Sequence, residues 1–349
     1  MAAFGTGIVT CTYFPLIGPT RLTPMTALIV LSFVTASCVF GACGDLTAKT
    51  LSPEARGRAS AWLQAGMQGS GALGGAAIIW LAARSTLRFV GFCTGLVIAL
   101  PRLLALAVPE PPPAFSHIIR GRLSQIGHEV YELLRSSSRR WGAILLISPI
   151  GTGAAMFLLA AIASNYGVGV TDGTWINGVG GGVVTALGAL AGALIPGDWD
   201  TRLVYAAAGV SSALAALVLL TAAVPATYLA GTALYLFTNG FCQARYAALV
   251  VEIVGAKTED ASVLFSILLS MYLIATTYTI WLEGAAYHRF GTHGLLWTEA
   301  AGGLVVGAVV FAVFAVWACG ARPIWPSQRA THSLPSAQLP VAWSSRSSV

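Results

Sequence analysis

Charged residues are scarce in this sequence, and their scarcity excludes a soluble globular protein. Asp, Glu, Lys and Arg make up only 9% of the 349 residues, whereas soluble chains carry about 25%. Hydrophobic residues reach 56%, and the mean hydropathy is +0.77. So few charges cannot cover a 36.1 kDa globule in water. Most of its surface must therefore face lipid.

Motifs for metals, nucleotides and covalent catalysis are missing as well. The six cysteines form no CxxC pair and the five histidines form no HxxxH or HExxH pair. The sequence contains neither a P-loop nor a GxSxG elbow. We therefore predict no metal, no cofactor and no enzymatic activity. The net charge of +6 comes from residues between the apolar runs, so it does not indicate a nucleic-acid partner.

What the sequence does contain is a series of apolar runs close to the roughly 20 residues that a helix needs to cross a bilayer. Ten spans are predicted, at residues 2–18, 25–44, 61–83, 87–108, 141–163, 174–195, 203–224, 226–250, 261–283 and 295–319. The predicted fold class is therefore an all-α integral membrane protein, with the lipid bilayer as its main partner.

Lys and Arg are unevenly distributed between these spans. If residue 1 is cytoplasmic, thirteen of these basic residues lie in cytoplasmic segments and four lie on the opposite side. The positive-inside rule then predicts that both termini are cytoplasmic.

One connection is much longer than the others and divides the chain. Residues 109–140 begin with a proline-rich stretch and continue with apolar positions at helical spacing. This pattern predicts a cytoplasmic linker with an amphipathic helix. It separates a domain of four spans, residues 1–108, from a domain of six spans, residues 141–319. Residues 320–349 show no apolar period and are predicted to be a disordered cytoplasmic tail.

Two places in the chain resemble each other. Asp45 and Glu252 each close a span, and each is followed by a short charged loop and by a span that starts with small residues. Repeated halves of this kind are typical of secondary transporters. The symmetric placement of Asp45 and Glu252 predicts latch residues at an inner gate. We group Arg102, near the inner end of its span, with them, and snorkelling to the membrane surface is the alternative role for Arg102.

Longer motifs resemble a known family. Residues 51–60 have the sequence LSPEARGRAS and are followed by WLQAG and GALGG, while residues 281–291 have the sequence WLEGAAYHRFG. These stretches resemble a loop, the fifth helix and the eleventh helix of major facilitator superfamily transporters. The similarity is to the bacterial branch that contains the muropeptide permease and the acetyl-coenzyme A transporters.

The resemblance implies a secondary active transporter in the bacterial inner membrane. Such a protein moves a small organic solute by alternating access and is energised by an ion gradient. Members of the family have six helices before the linker, so the resemblance implies two bundles of four and six helices, with a truncated N-terminal bundle that lacks the first two helices. The alternative is a truncated, non-transporting membrane protein that serves as a structural or interaction module.

Polar residues inside the spans are the candidates for solute binding, because a charge at the bilayer centre costs at least about 2.5–3.5 kcal/mol. Arg245 is predicted to lie about 12 Å deep, where it suits an anionic solute. Three residues on its helix and two in the third span complete the predicted site, namely Asn239, Gln243 and Tyr246 with Gln64 and Gln68. For each of them, hydrogen bonding between helices is the alternative role. Glu283 and Glu299 flank the last outer loop and are expected to be mostly solvated.

Overall fold

The computed structural model of the chain describes residues 22–51, 53–99, 127–128, 131, 135, 137–196, 199–254 and 261–319. Regular structure in these ranges is entirely helical. The helices are α1 (Leu22–Thr50), α2 (Pro53–Ala82), α3 (Leu87–Ala99), α4 (Ser137–Ile147), α5 (Leu159–Ile162), α6 (Val170–Asn177), α7 (Val179–Gly192), α8 (Thr201–Val218), α9 (Pro225–Val254) and α10 (Ala261–Cys319). Two 3-10 segments, Ala154–Phe157 and Ala163–Tyr166, flank α5.

Several of these helices have a surface that only lipid can cover. Among the described residues, three stretches are long and apolar enough to cross a membrane: Val170–Gly192, Thr201–Val218 and Leu264–Val316. Large apolar side chains are also widely exposed, such as Ile79 at 72% and Trp281 at 70%. These features identify an integral membrane protein.

The contacts divide the chain into two units, residues 1–311 and residues 312–349. Of the second unit the structure describes residues 312–319, which are helical. The first predicted span, most of the predicted linker helix and the predicted tail lie outside the described residues, as does Arg102. The domain boundaries and the grouping of four and six helices therefore stay predictions.

Helix α9 is the centre of the packing in the first unit. It packs against α2, α7 and α8, and nearly all of its residues from 239 to 254 are buried. Helix α2 also packs along α7, where Gly182 directly contacts Ala72. Glycines are abundant, 39 in all, and at such crossings they let two helix backbones approach closely, as helix association in a bilayer requires.

The predicted span 141–163 is not one continuous helix. Helix α4 ends at Ile147, and a turn through residues 148–153 follows before the short 3-10 segment begins. Pro149 has no backbone N–H to continue the helix. Gly151 and Gly153 adopt φ values of 66° and 63°, in the left-handed region that glycine tolerates best. The sequence of this turn therefore breaks the helix inside an apolar run.

Tyrosine hydroxyls compensate for this break. Carbonyl groups freed from a helix must find donors when the surroundings are apolar. Three of them each accept a tyrosine hydroxyl: Ile147 from Tyr278 at 2.7 Å, Ile150 from Tyr205 at 2.9 Å and Thr152 from Tyr272 at 2.9 Å. The donors lie on α8 and α10, so the broken segment depends on later helices for its hydrogen bonds.

The last two predicted spans are joined without a long loop. Helical structure continues from Ala261 to Cys319, and its one non-helical residue is Gly291, with φ 63° and ψ −151°. Residues 284–294 were expected to form a loop, but apart from Gly291 they are helical. The consequence is a helix hairpin whose two arms, 261–290 and 292–319, are both longer than predicted.

Candidate functional site

A chain of side-chain hydrogen bonds connects α2 with α9. Gln68 Nε2 donates to Gln243 Oε1 at 2.5 Å, and Gln243 Nε2 donates to Asn239 Oδ1 at 3.2 Å. Asn239 Nδ2 in turn donates to the Met156 sulfur at 3.7 Å. We call Gln68, Gln243 and Asn239 the polar bridge. It brings together three of the six residues predicted to bind a solute.

The helices place the polar bridge deep in the fold. Asn239 lies near the middle of the 30-residue helix α9, and Gln243 follows one turn later, so both side chains share a face. Their exposure is only 1% and 7%. Gly153, with its positive φ, lies directly against the Asn239 amide. The broken segment after α4 thus leaves space for a buried amide side chain.

Gln64 and Tyr246 lie apart from this chain of hydrogen bonds. Gln64 is buried one turn before Gln68, and its Oε1 atom has no hydrogen-bond partner among the described residues. Tyr246 donates its hydroxyl to the Leu268 carbonyl at 2.9 Å, and its ring centroid is 4.4 Å from that of Tyr272. Tyr246 therefore fixes α9 to α10 through its hydroxyl and its ring.

Arg245 is buried, but it does not join the polar bridge. Its exposure is 6%, and its guanidinium lies beside Gly57 of α2, where a Cβ atom would be 3.8 Å from Nη1. Its Nε atom has no hydrogen-bond partner in the described part of the chain. The side chain of Asp45 lies outside what the structure describes. Arg245 thus brings a positive charge to the contact between α2 and α9.

Glu252 forms an ion pair with a partner that the sequence did not identify. Arg202 Nη2 is 3.6 Å from Glu252 Oε1, and Arg202 Nη1 is 3.8 Å from Asp200 Oδ2. Asp200 also caps α8, since its Oδ1 accepts the Arg202 backbone N–H at 2.9 Å and that of Leu203 at 3.4 Å. A carboxylate is favourable there because of the partial positive charge at a helix N-terminus. Arg202, Glu252 and Asp200, which we call the ionic cluster, connect the start of α8 to the end of α9.

The expectation that Glu283 and Glu299 are mostly solvated was wrong. Glu283 is 0% exposed and Glu299 is 6% exposed. The reason is the length of the hairpin arms, because each carboxylate lies eight positions from Gly291 along its helical arm, a distance of about 12 Å along the axis. Tyr235 of α9 donates its hydroxyl to Glu299 Oε1 at 2.5 Å. The equal spacing of Glu283 and Glu299 from Gly291 could have indicated two arms that bring these glutamates together. The prediction missed it because it ended one span at 283 and began the next at 295.

Comparison with known families identifies the kind of protein to which these features belong. The sequence model of the Major Facilitator Superfamily matches residues 1–261, about three quarters of the chain. No curated protein matches the sequence. Proteins of this superfamily are membrane transporters rather than enzymes. The match favours transport over the alternative of a non-transporting membrane module.

Proposed function

Since the chain belongs to the major facilitator superfamily and is a membrane transporter of that type, we propose that it carries a small organic solute. The proposed mechanism is alternating access. The observation that carries the proposal is the polar bridge. Amide groups buried in an apolar bundle are costly unless they are hydrogen-bonded. Gln68, Gln243 and Asn239 satisfy one another across two helices, and these amides can exchange that mutual bonding for bonds to a polar solute.

Alternating access also needs a contact that opens and closes away from the solute. The ionic cluster suits that role, because an ion pair between Arg202 and Glu252 connects two helix ends. Glu252 is partly exposed, with 30% of its side chain accessible, so water can replace its partner at a modest cost. We propose that this pair forms in one state of the transporter and separates in the other, together with the counterpart that Asp45 and Arg102 would supply.

Arg245 supports an anionic solute. A guanidinium inside a bilayer costs about 2.5–3.5 kcal/mol or more, and an anion beside it offsets that cost. The guanidinium lies against Gly57, which contributes no side-chain charge of its own to neutralise it. We therefore include Arg245, Gln64 and Tyr246 with the polar bridge in the proposed solute-binding region.

The remaining parts of the proposal rest on the motifs in the sequence. Residues 51–60 and 281–291 resemble motifs of the branch that contains the muropeptide permease and the acetyl-coenzyme A transporters. That branch implies coupling to an ion gradient and a location in the bacterial inner membrane. The distribution of Lys and Arg supports cytoplasmic termini.

Solute binding and uptake by the purified full-length protein test this proposal. A panel of small organic anions and their neutral analogues is first screened for thermal stabilisation, because a ligand that binds the folded state raises its melting temperature. Uptake of each hit into proteoliposomes is then compared between the parent, Gln243→Leu and Ser211→Ala. Ser211 is exposed and bonds only within its own helix, so it is the matched control. We expect at least tenfold slower uptake for Gln243→Leu. Equal uptake by the two variants at equal protein levels would overturn the assignment of the site.

A further inference from the structure

Glu283 and Glu299 form a buried acidic pair between the arms of the hairpin. The two carboxyl groups are near enough to interact with each other, and each also interacts electrostatically with the Tyr235 hydroxyl. Neither Glu283 oxygen has a hydrogen-bond donor among the described residues. Two carboxylates are both acceptors, so they cannot hydrogen-bond to each other unless one of them carries a proton.

The groups that face this pair supply no positive charge. On α9 these groups are Tyr235 and Cys242, and on α10 they are Tyr272 and the other glutamate. Within the described residues, no Lys, Arg or His forms an ion pair with either carboxyl group. Two like charges at close range in apolar surroundings repel strongly, and the usual outcome is that one of them is neutral.

The hydrogen bonding distinguishes the two glutamates. Glu299 already accepts the Tyr235 hydroxyl at 2.5 Å, which stabilises its ionised form. Glu283 is 0% exposed and receives no donor from the described part of the chain, so its ionised form would be a bare buried charge. A proton on Glu283 removes that charge and creates an O–H group that can donate to Glu299.

We propose that Glu283 and Glu299 form a proton-binding site. Glu283 carries the proton, and its O–H group donates a hydrogen bond to the ionised Glu299. Binding of one proton changes the charge of the pair from −2 to −1 and replaces repulsion between the hairpin arms with a hydrogen bond. As the site at which a proton gradient drives the solute, the pair rests on the proposed transport function. As a proton-binding site, it stands on the burial of both glutamates and on their hydrogen bonding, without any reference to a solute.

Infrared spectroscopy of the full-length protein at neutral pH, in a maltoside detergent that carries no carbonyl group of its own, tests the proposal without any solute. A protonated carboxyl group has a C=O stretching band that ionised carboxylates lack. We expect this band in the parent protein, its loss in Glu283→Gln and its retention in Glu299→Gln. Asp172→Asn is the control, because Asp172 is exposed in the first turn of α6 and its substitution should leave the band unchanged.

Each outcome of this experiment decides the assignment. A parent spectrum without the band, or a band unchanged in Glu283→Gln, would overturn the site, and the first of these needs no variant to fold. A band that disappears on addition of sodium chloride but not of potassium chloride would assign the pair to a metal cation. Failure of solute uptake would remove the transport function and leave this measurement intact, so the two failures are distinguishable.

Discussion

Gly240 of α9 lies directly against the backbone carbonyl of Thr185 in α7, with no room for a Cβ atom between them. The contact is reciprocal, because Gly188 of α7 lies against the carbonyl of Phe237 in α9 in the same way. We expect Gly240→Ala to destabilise the protein by about 1–3 kcal/mol, the usual cost of overfilling a packed interior. Thermal unfolding in detergent, followed by tryptophan fluorescence, measures the effect.

Gly66→Ala is the matched control for this substitution. Gly66 is also in the interior of a helix, but a Cβ atom there would meet nothing within 4 Å. Its replacement should be neutral or stabilising by up to about 1 kcal/mol, because alanine favours helix more than glycine does. Equal melting temperatures for the two variants would show that the crossing of α7 and α9 is looser than described.

The hydrogen bond between Gln68 and Gln243 should appear as an energetic coupling between α2 and α9. We expect Gln68→Leu and Gln243→Leu each to lower stability, because each removes the hydrogen bond that joins the two amides and leaves one polar atom of the remaining amide without it. The stability lost by the double variant should be smaller than the sum of the two single losses. We expect a difference of about 0.5–1.5 kcal/mol, the range for side-chain hydrogen bonds between helices in a membrane. Strictly additive effects in the double-mutant cycle would contradict this bond.

The ion pair between Arg202 and Glu252 should tolerate exchange of its charges better than loss of one partner. Arg202→Glu places three acidic groups together, since Asp200 is 3.8 Å from Arg202, so we expect a lower melting temperature and less uptake. The double variant Arg202→Glu and Glu252→Arg should be more stable than Arg202→Glu by about 0.5–1 kcal/mol, the contribution of a partly exposed ion pair. No recovery in either measurement would mean that the two residues act independently.

Gly291 should be irreplaceable at the turn of the hairpin. Its φ of 63° and ψ of −151° lie in a region that only glycine adopts readily, and other residues pay about 1–3 kcal/mol there. We expect Gly291→Ala to lower the melting temperature. Gly284→Ala is the control, because Gly284 lies within the helical arm and also has open space around it. A Gly291→Ala protein as stable as this control would exclude the described turn.

The sequence predicted the kind of protein better than it predicted the positions of its polar groups. Apolar runs of about 20 residues are a strong signal: the predicted span 25–44 lies within α1, and the predicted span 61–83 lies within α2 except for its last residue. The break after Ile147 was missed because its tyrosine donors lie on α8 and α10, far along the chain. The burial of Glu283 was missed because the span was ended at that residue. Partners from distant helices leave no periodicity in the local sequence.

The tyrosine-bonded break has a consequence for how the protein is made. Residues 141–163 leave the ribosome before Tyr205, Tyr272 and Tyr278 have been synthesised, so the carbonyls of Ile147, Ile150 and Thr152 have no hydroxyl donors at that time. In lipid, backbone carbonyls without side-chain donors are satisfied when the segment forms helical backbone hydrogen bonds. We therefore expect the break at Pro149 to reach its final shape only when α8 and α10 supply these hydroxyls, which makes that shape a late event in biogenesis.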